Sequence, residues 1–198
     1  MEENKKLNQP DNQEMLQNVD ADKQKKNLVK ELISWAKVVL FAVVVAFFIN
    51  NVIIVNATVP TSSMRDTIAE RSRLVAFRLS YLFSEPERFD VVVFRFPDDE
   101  SYLFVKRIIG LPGERIDIID GQVFVNESSY PLDEWYLLEP AEQTMDQSFL
   151  VPENSFFVLG DNRNFSHDSR RWANSYLPME NILGRAIFSY FPRIGIIR

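Results

Sequence analysis

From Val38 to Ile49 the chain reads VVLFAVVVAFFI, and no charged residue occurs between Lys37 and Arg65. The run is apolar on every side rather than along one stripe, which suits a helix facing lipid better than one packed into a core. Asn50 and Asn51 interrupt it before VIIV, so its pure apolar part, about 12 residues, is also compatible with a buried core helix. With its flanks, Leu32 to Val55 supplies the roughly 20 residues that cross a bilayer core about 30 Å thick. A retained membrane anchor over 32–56 is therefore expected. A cleaved signal peptide fits less well, because the charged region ahead of it is long. Lys23, Lys25, Lys26 and Lys30 crowd the N-terminal flank, which predicts a cytoplasmic N-terminus and places the remainder outside. Arg65, Arg71, Arg73 and Arg78 weigh less, since a long domain crosses regardless of such charges.

Residues 1–31 are charged, rich in Asn and Gln and nearly free of aromatics, the composition of a disordered cytoplasmic tail. The chain of 198 residues leaves 57–198 for one domain of ordinary size. That part reads as β structure: Arg73 to Phe77, Phe89 to Phe96, Tyr102 to Ile109, the run from Ser155 and the run from Arg185 are short, β-branched and aromatic. RIDIIDGQVFVN holds Asp120-Gly121 between alternating apolar segments, a strong hairpin signal. No long helical pattern follows the anchor and no internal repeat occurs. The expected fold is mostly β: an N-terminal transmembrane helix followed by a partly closed, barrel-like catalytic domain. The segment Asn126 to Phe149, with Trp135 and Tyr136, reads as a surface excursion, with part of the substrate groove as the alternative.

Composition removes several chemistries. The chain has no cysteine, so thiol nucleophiles, disulfides and zinc-thiolate sites are excluded. With one histidine, His167, a multi-histidine metal centre is excluded too, and no metal or cofactor is expected. A net charge of -6 without a basic stretch makes nucleic acid a poor partner.

Three segments place reactive polar residues in or beside apolar strands: VPTSSM at Val59 to Met64, VKRIIGLPGE at Val105 to Glu114, and GDNRNFSHDSRR at Gly160 to Arg171. Singly, each reads as a linker, a turn and a polar loop. In this order after an anchor they resemble the type I signal peptidases, membrane-bound serine proteases of peptidase family S26. The resemblance rests on Ser63-Met64, on Lys106-Arg107 ahead of Gly110 to Glu114, on Gly160-Asp161-Asn162, and on Ser166, Asp168, Ser169 and Arg170. RFDVVVF at Arg88 to Phe94 resembles that family's Gly-Asp-Val-Val strand, with Phe89 where glycine is usual. Arg65-Asp66-Thr67 also departs from the usual x-Pro-Thr, which bears on loop stiffness more than on chemistry.

The resemblance implies Ser63 as nucleophile and Lys106 as its general base. It further implies an oxyanion hole from the Thr61 hydroxyl and the Ser63 N–H, Ser166 as the group that orients Lys106, and Asp168 with Arg170 as a supporting ion pair. Signal peptides of secretory precursors would be the substrates, met at the outer face of the lipid bilayer by a monomeric enzyme. A lysine can serve as base only when neutral, and lowering a pKa of about 10.4 toward 8 requires roughly 3 to 4 kcal/mol, which desolvation can supply. In YLFVKRII, strand alternation puts Lys106 on one face with Phe104 and Ile108, and Arg107 on the other. An exposed Lys106 paired with a carboxylate is the ordinary alternative. A Ser/His/Asp triad through His167 is a weaker one, since His167 stands at a variable position of the motif. Two competing functions remain: a self-cleaving repressor, which lacks support without a basic helix-turn-helix segment, and a specialised or non-catalytic factor in assembly of cell-surface structures.

Overall fold

The computed structural model describes residues 11–143 and 145–198. Helix α1, Asp11–Phe48, is continued by a wider helical turn at Ile49–Ile53. The stretch Lys25–Ile53, 29 residues, is long and apolar enough to cross a membrane, and none of its most apolar window is buried by protein. Helix α1 begins inside the segment read as a disordered tail, of which residues 1–10 lie outside the described residues. Gln, Glu, Lys, Met and Leu are good helix formers, and a helix already nucleated by the apolar run extends at one hydrogen bond per added residue. Composition alone did not reveal that coupling.

Residues from Ile49 onward form the second unit, a β domain. Its strands are β1 Ile54–Val59, β2 Ser72–Phe77, β3 Val91–Phe96, β4 Asp99–Gly110, β5 Arg115–Ile119, β6 Gln122–Val125, β7 Gln147–Leu150, β8 Ser155–Leu159, β9 Leu177–Pro178, β10 Ile182–Phe191 and β11 Gly195–Ile196. The main sheet runs β1-β2-β10-β3-β4-β8-β9 with β11 on β10, and β6-β5-β7 form a smaller one. Every pairing is antiparallel. The fold is mostly β as expected, and the main sheet does not close, with β1 at one edge and β9 at the other. Among the described residues, helix beyond Ile53 is confined to short turns.

The Asp120-Gly121 hairpin forms, with both residues at positive φ (51° and 80°) and Ile119 paired with Gln122. Strand β1 takes in Ile54 to Asn56, residues that hydropathy had grouped with the anchor, because six consecutive positions pair with β2. Strand β7 was missed: QSFL is short and half polar, and its pairing partner β5 lies far back in the chain.

Alternation along β3 divides the core. Val91 and Val93 join β1, β2 and β10 in one cluster with Met64, Ile68, Leu74 and Ala76. Val92 and Phe94 face a second cluster with Ile108, Phe156, Val158 and Trp172. Met64 and Ile68 bracket the turn after β1, so the first cluster fixes the segment that carries Ser63. Leu74 is fully buried in that cluster. Leu74→Ala is expected to cost about 3 kcal/mol of stability, read as a lower urea midpoint of the solubilised protein.

Candidate active site

Ser63 sits in a single helical turn, Ser62–Met64, directly after β1, with Thr61 extended ahead of it. The turn is closed by Thr67 and Ile68, whose N–H groups donate to the Met64 carbonyl at 3.0 and 2.6 Å, and buried Met64 pins it to the core. Lys106 comes from β4, opposite Val92 of β3, on the face that also carries Ile108. Its Nζ lies 2.5 Å from Ser63 Oγ in a hydrogen bond. Lys106 is 3% exposed and Ser63 5%, so water is nearly excluded from the pair. Thr61 Oγ1 lies 3.2 Å from Ser63 Oγ.

Burial pushes the Lys106 amine down to about 8, against the opposing pull of Asp168 and Asp161 and with a small contribution from Arg170. The pull of the carboxylates is limited because each is tied to an arginine. Asp168 accepts two 2.8 Å bonds from Arg170, through Nε and one terminal nitrogen. Burial alone would raise the Asp168 carboxyl; Arg170 and the Gly160 N–H more than offset this and hold it below the usual carboxylate range. Asp161 takes a bidentate grip from Arg107 at 2.9 and 2.7 Å, both side chains fully buried.

Arg107 does point to the face opposite Lys106, yet it is fully buried rather than solvent-facing. Its remaining donors go to the Phe89 carbonyl at 2.8 Å, the Arg198 carbonyl at 3.0 Å and Thr67 Oγ1 at 3.1 Å, and its guanidinium lies 4.1 Å from the Tyr136 ring. Alternation told its direction but not its surroundings, since the Asp161 partner is remote in sequence. Thr67 Oγ1 in turn donates to Asp161 at 2.5 Å.

The loop after β8 meets the Ser63 turn through backbone. The Asn162 N–H donates to the Ser63 carbonyl and its side-chain amide to the Ser62 carbonyl, both at 3.0 Å. Gly160 is packed so closely that a Cβ there would lie 2.5 Å from the Ser63 carbonyl oxygen and collide with Ser166 Oγ. Ser166 is buried, and its hydroxyl has no partner of normal hydrogen-bond geometry and makes no bond to Lys106, though its proximity also helps hold the Asp168 carboxyl low. Thr58 to Thr61, Ser63, Leu103 to Lys106, Phe165 and His167 line a groove of about 180 Å³. His167 meets the Phe96 ring edge-on at 6.0 Å and is exposed. No cluster of potential metal-ligating residues occurs among the described residues.

A serine hydroxyl held against a desolvated amine at the floor of an apolar groove has the chemistry of a hydrolase that uses an amine as base. The comparisons with known proteins give the family. The model for signal peptidase, peptidase S26, matches residues 32–191, and the chain belongs to that family. It is 36% identical over 174 residues to the signal peptidase I of Leptolyngbya laminosa, spanning 83% of each chain. It is 36% identical over 167 residues to the chloroplastic thylakoidal processing peptidase 1 of Arabidopsis thaliana, covering 79% of this chain but 48% of that one, so it spans about half the length of that relative. A crystal structure of a signal peptidase I from Enterococcus faecalis V583 aligns at 32% identity and a TM-score of 0.45, covering 52% of this chain and 97% of that one.

Two outcomes follow from the geometry. Gly160→Ala should lower activity by about a hundredfold or more, because reacting groups displaced by an ångström lose that much rate; steady-state kinetics on the purified protein reads it. Lys106→Met should be at least as stable as wild type at pH 7, since it removes a buried amine. The lysine is pushed to about 8 when folded and titrates near 10.5 when unfolded. The unfolded state therefore binds more protons, and the destabilisation is full below pH 8 and fades between pH 8 and 10.5. The advantage of Lys106→Met in thermal melts should shrink over that window.

Proposed function

We propose that the protein is a serine endopeptidase that removes N-terminal signal peptides from exported precursors at the outer face of a cytoplasmic membrane, with Ser63 and Lys106 as its catalytic pair. The observation that carries the reading is the 2.5 Å contact between Lys106 Nζ and Ser63 Oγ, buried together in the groove. In this reading 32–56 is the anchor, the preceding residues lie in the cytoplasm and 57–198 lie outside. Lysines flanking the N-terminal side of the apolar stretch support that orientation.

The free strand edges suggest how a substrate enters. Among the described residues, strand β1 pairs only with β2, and β8 pairs with β4 only from Arg107 to Gly110. The first half of β4 and the outer edge of β1 thus both offer unpaired backbone groups to the groove between them. A peptide bound there would be extended, added as a strand and held by main-chain bonds. Small residues at an A-x-A-like cleavage site suit such a shallow apolar groove.

Chemistry begins with neutral Lys106, about one molecule in ten at pH 7 for a pKa of about 8. Its lone pair takes the Ser63 hydroxyl proton as Oγ attacks the scissile carbonyl carbon. The oxyanion that develops is stabilised by the Ser63 N–H and the Thr61 hydroxyl. The Lys106 ammonium then protonates the departing amine, leaving an acyl ester on Ser63. Water attacks that ester with Lys106 again as base, and the signal peptide leaves with a free carboxylate. Asp168 and Arg170 hold the Gly160 loop.

Cleavage of a secretory precursor in liposomes, read by N-terminal sequencing of the product, tests the reading. Ser63→Ala and Lys106→Ala should each lower kcat/KM by about 10⁴ or more, while His167→Ala keeps most activity. Retained cleavage in Lys106→Ala would sink the mechanism. The rate should fall about tenfold per pH unit below pH 8, as Lys106 gains its proton. No cleavage of ordinary precursors by folded wild type, with cleavage of surface-fibre subunits, would favour a dedicated assembly factor.

A further inference from the structure

The stretch from Glu134 to Glu142 has no strand or helix, yet it is tied to each element of the site. Trp135 and Leu138 are largely exposed, so polar anchors as well as core contacts hold it. Arg163, in the loop after β8, forms a buried two-point ion pair with Glu134 and donates to the Tyr136 hydroxyl at 3.1 Å. Arg163 Nε also donates to the Gly160 carbonyl at 3.2 Å. Asn164 accepts the Glu142 N–H at 2.8 Å. Tyr136 lies under the Arg107 guanidinium and against Phe89. The remaining anchor reaches the nucleophile's own turn: Asp66, three residues after Ser63, accepts the Leu138 N–H at 3.1 Å. An exposed Arg65–Glu139 pair at 3.4 Å runs beside it.

Asp66 is an odd residue for a purely structural position. Its side chain is 2% exposed, and its Oδ1 is buried without a hydrogen bond, its ion-pair partner being Arg65 Nε at 3.9 Å. A half-satisfied buried carboxylate costs stability. Such violations of local economy collect at functional sites.

We propose that Asp66 is a positioning residue for Ser63, and that Glu134–Glu142 is a strap to which it moors the Ser63 turn. The strap spans from the Ser63 turn to the Gly160 loop, so it fixes the distance between the two segments that enclose the nucleophile and its base. The turn has little else on its outer side: Asn162 holds the Ser62 and Ser63 carbonyls, and Thr67 reaches inward to Asp161. Asp66 supplies the buried tether on the side of the strap, beside the exposed Arg65–Glu139 pair. Its kinetic part rests on the proteolytic reading above.

The test compares wild type, Asp66→Ala and Asp66→Asn, each as the full chain in detergent. Asparagine keeps an oxygen acceptor for the Leu138 N–H; alanine does not. Asp66→Ala should lower kcat about tenfold through a small misplacement of Ser63, with KM changed less than twofold, and Asp66→Asn should recover most of the loss. Hydrogen exchange of peptides covering 61–68 and 134–142 should quicken in Asp66→Ala in both segments together, and return to wild-type protection in Asp66→Asn. Wild-type kcat in Asp66→Ala, or equal loss in both variants with faster exchange across the whole β domain, would overturn the proposal. If wild type itself cleaves no precursor, the proteolytic reading has failed. The exchange comparison then decides the strap alone: joint loosening of the two segments supports it, and independent behaviour overturns it.

Discussion

Everything at this site depends on keeping an amine dry. In the proposed mechanism Lys106 can serve as a base only to the extent that β4 holds its nitrogen where water cannot solvate the charge. Bringing the loop after β8 against the amine also brings Asp161 and Asp168, whose charges work in the opposite direction. The fold answers by giving each carboxylate its own arginine, Arg107 and Arg170, placed before either can act as a counter-ion to the lysine. Two buried ion pairs of this kind are poor sources of stability in themselves. Their value here is electrostatic: they let polar loops pack around the amine while leaving desolvation the larger effect.

The second constraint is closeness of backbone. Ser63 lies in the turn after β1 and Lys106 on β4, and a third segment hydrogen-bonds to the carbonyls of Ser62 and Ser63. Gly160 is what permits that approach, since any side chain would push the loop off the turn. The site is therefore assembled in part by contacts to main-chain carbonyls, made by the Gly160-Asp161-Asn162 segment.

Strong local signals were legible before the structure: the apolar run, the Asp120-Gly121 hairpin, and most strands of the main sheet, because β-branched alternation and turn chemistry are local properties. The side of β4 on which Lys106 lies followed from period-two alternation. What escaped is non-local. The QSFL strand becomes a strand only because β5 is there to receive it. The lysine-rich tail joins a helix because an apolar segment downstream nucleates one. Arg107 gave no hint that it would be fully buried, since its five donors are satisfied by residues from four distant parts of the chain. The segment from Asn126 to Phe149 looked like a surface excursion by composition; Trp135 and Leu138 bear that out, and Tyr136 and Glu134 do not.

Both departures from the signal-peptidase pattern converge on that same segment. Phe89 stands where glycine is usual and adopts a φ of 74°, a conformation that costs a residue with a side chain about 1 to 2 kcal/mol. What the phenyl ring gains is an edge-on contact with Tyr136 at 5.7 Å, while its carbonyl still receives Arg107. Asp66 stands where proline is usual, and its carboxylate binds the Leu138 N–H. A proline stiffens a turn from within by restricting φ; an aspartate can stiffen it only by reaching something rigid outside. The ring of Phe89 packs on Tyr136, two residues from the amide that Asp66 uses. Phe89 and Asp66 thus both contact the segment 134–142, at residues two apart along it.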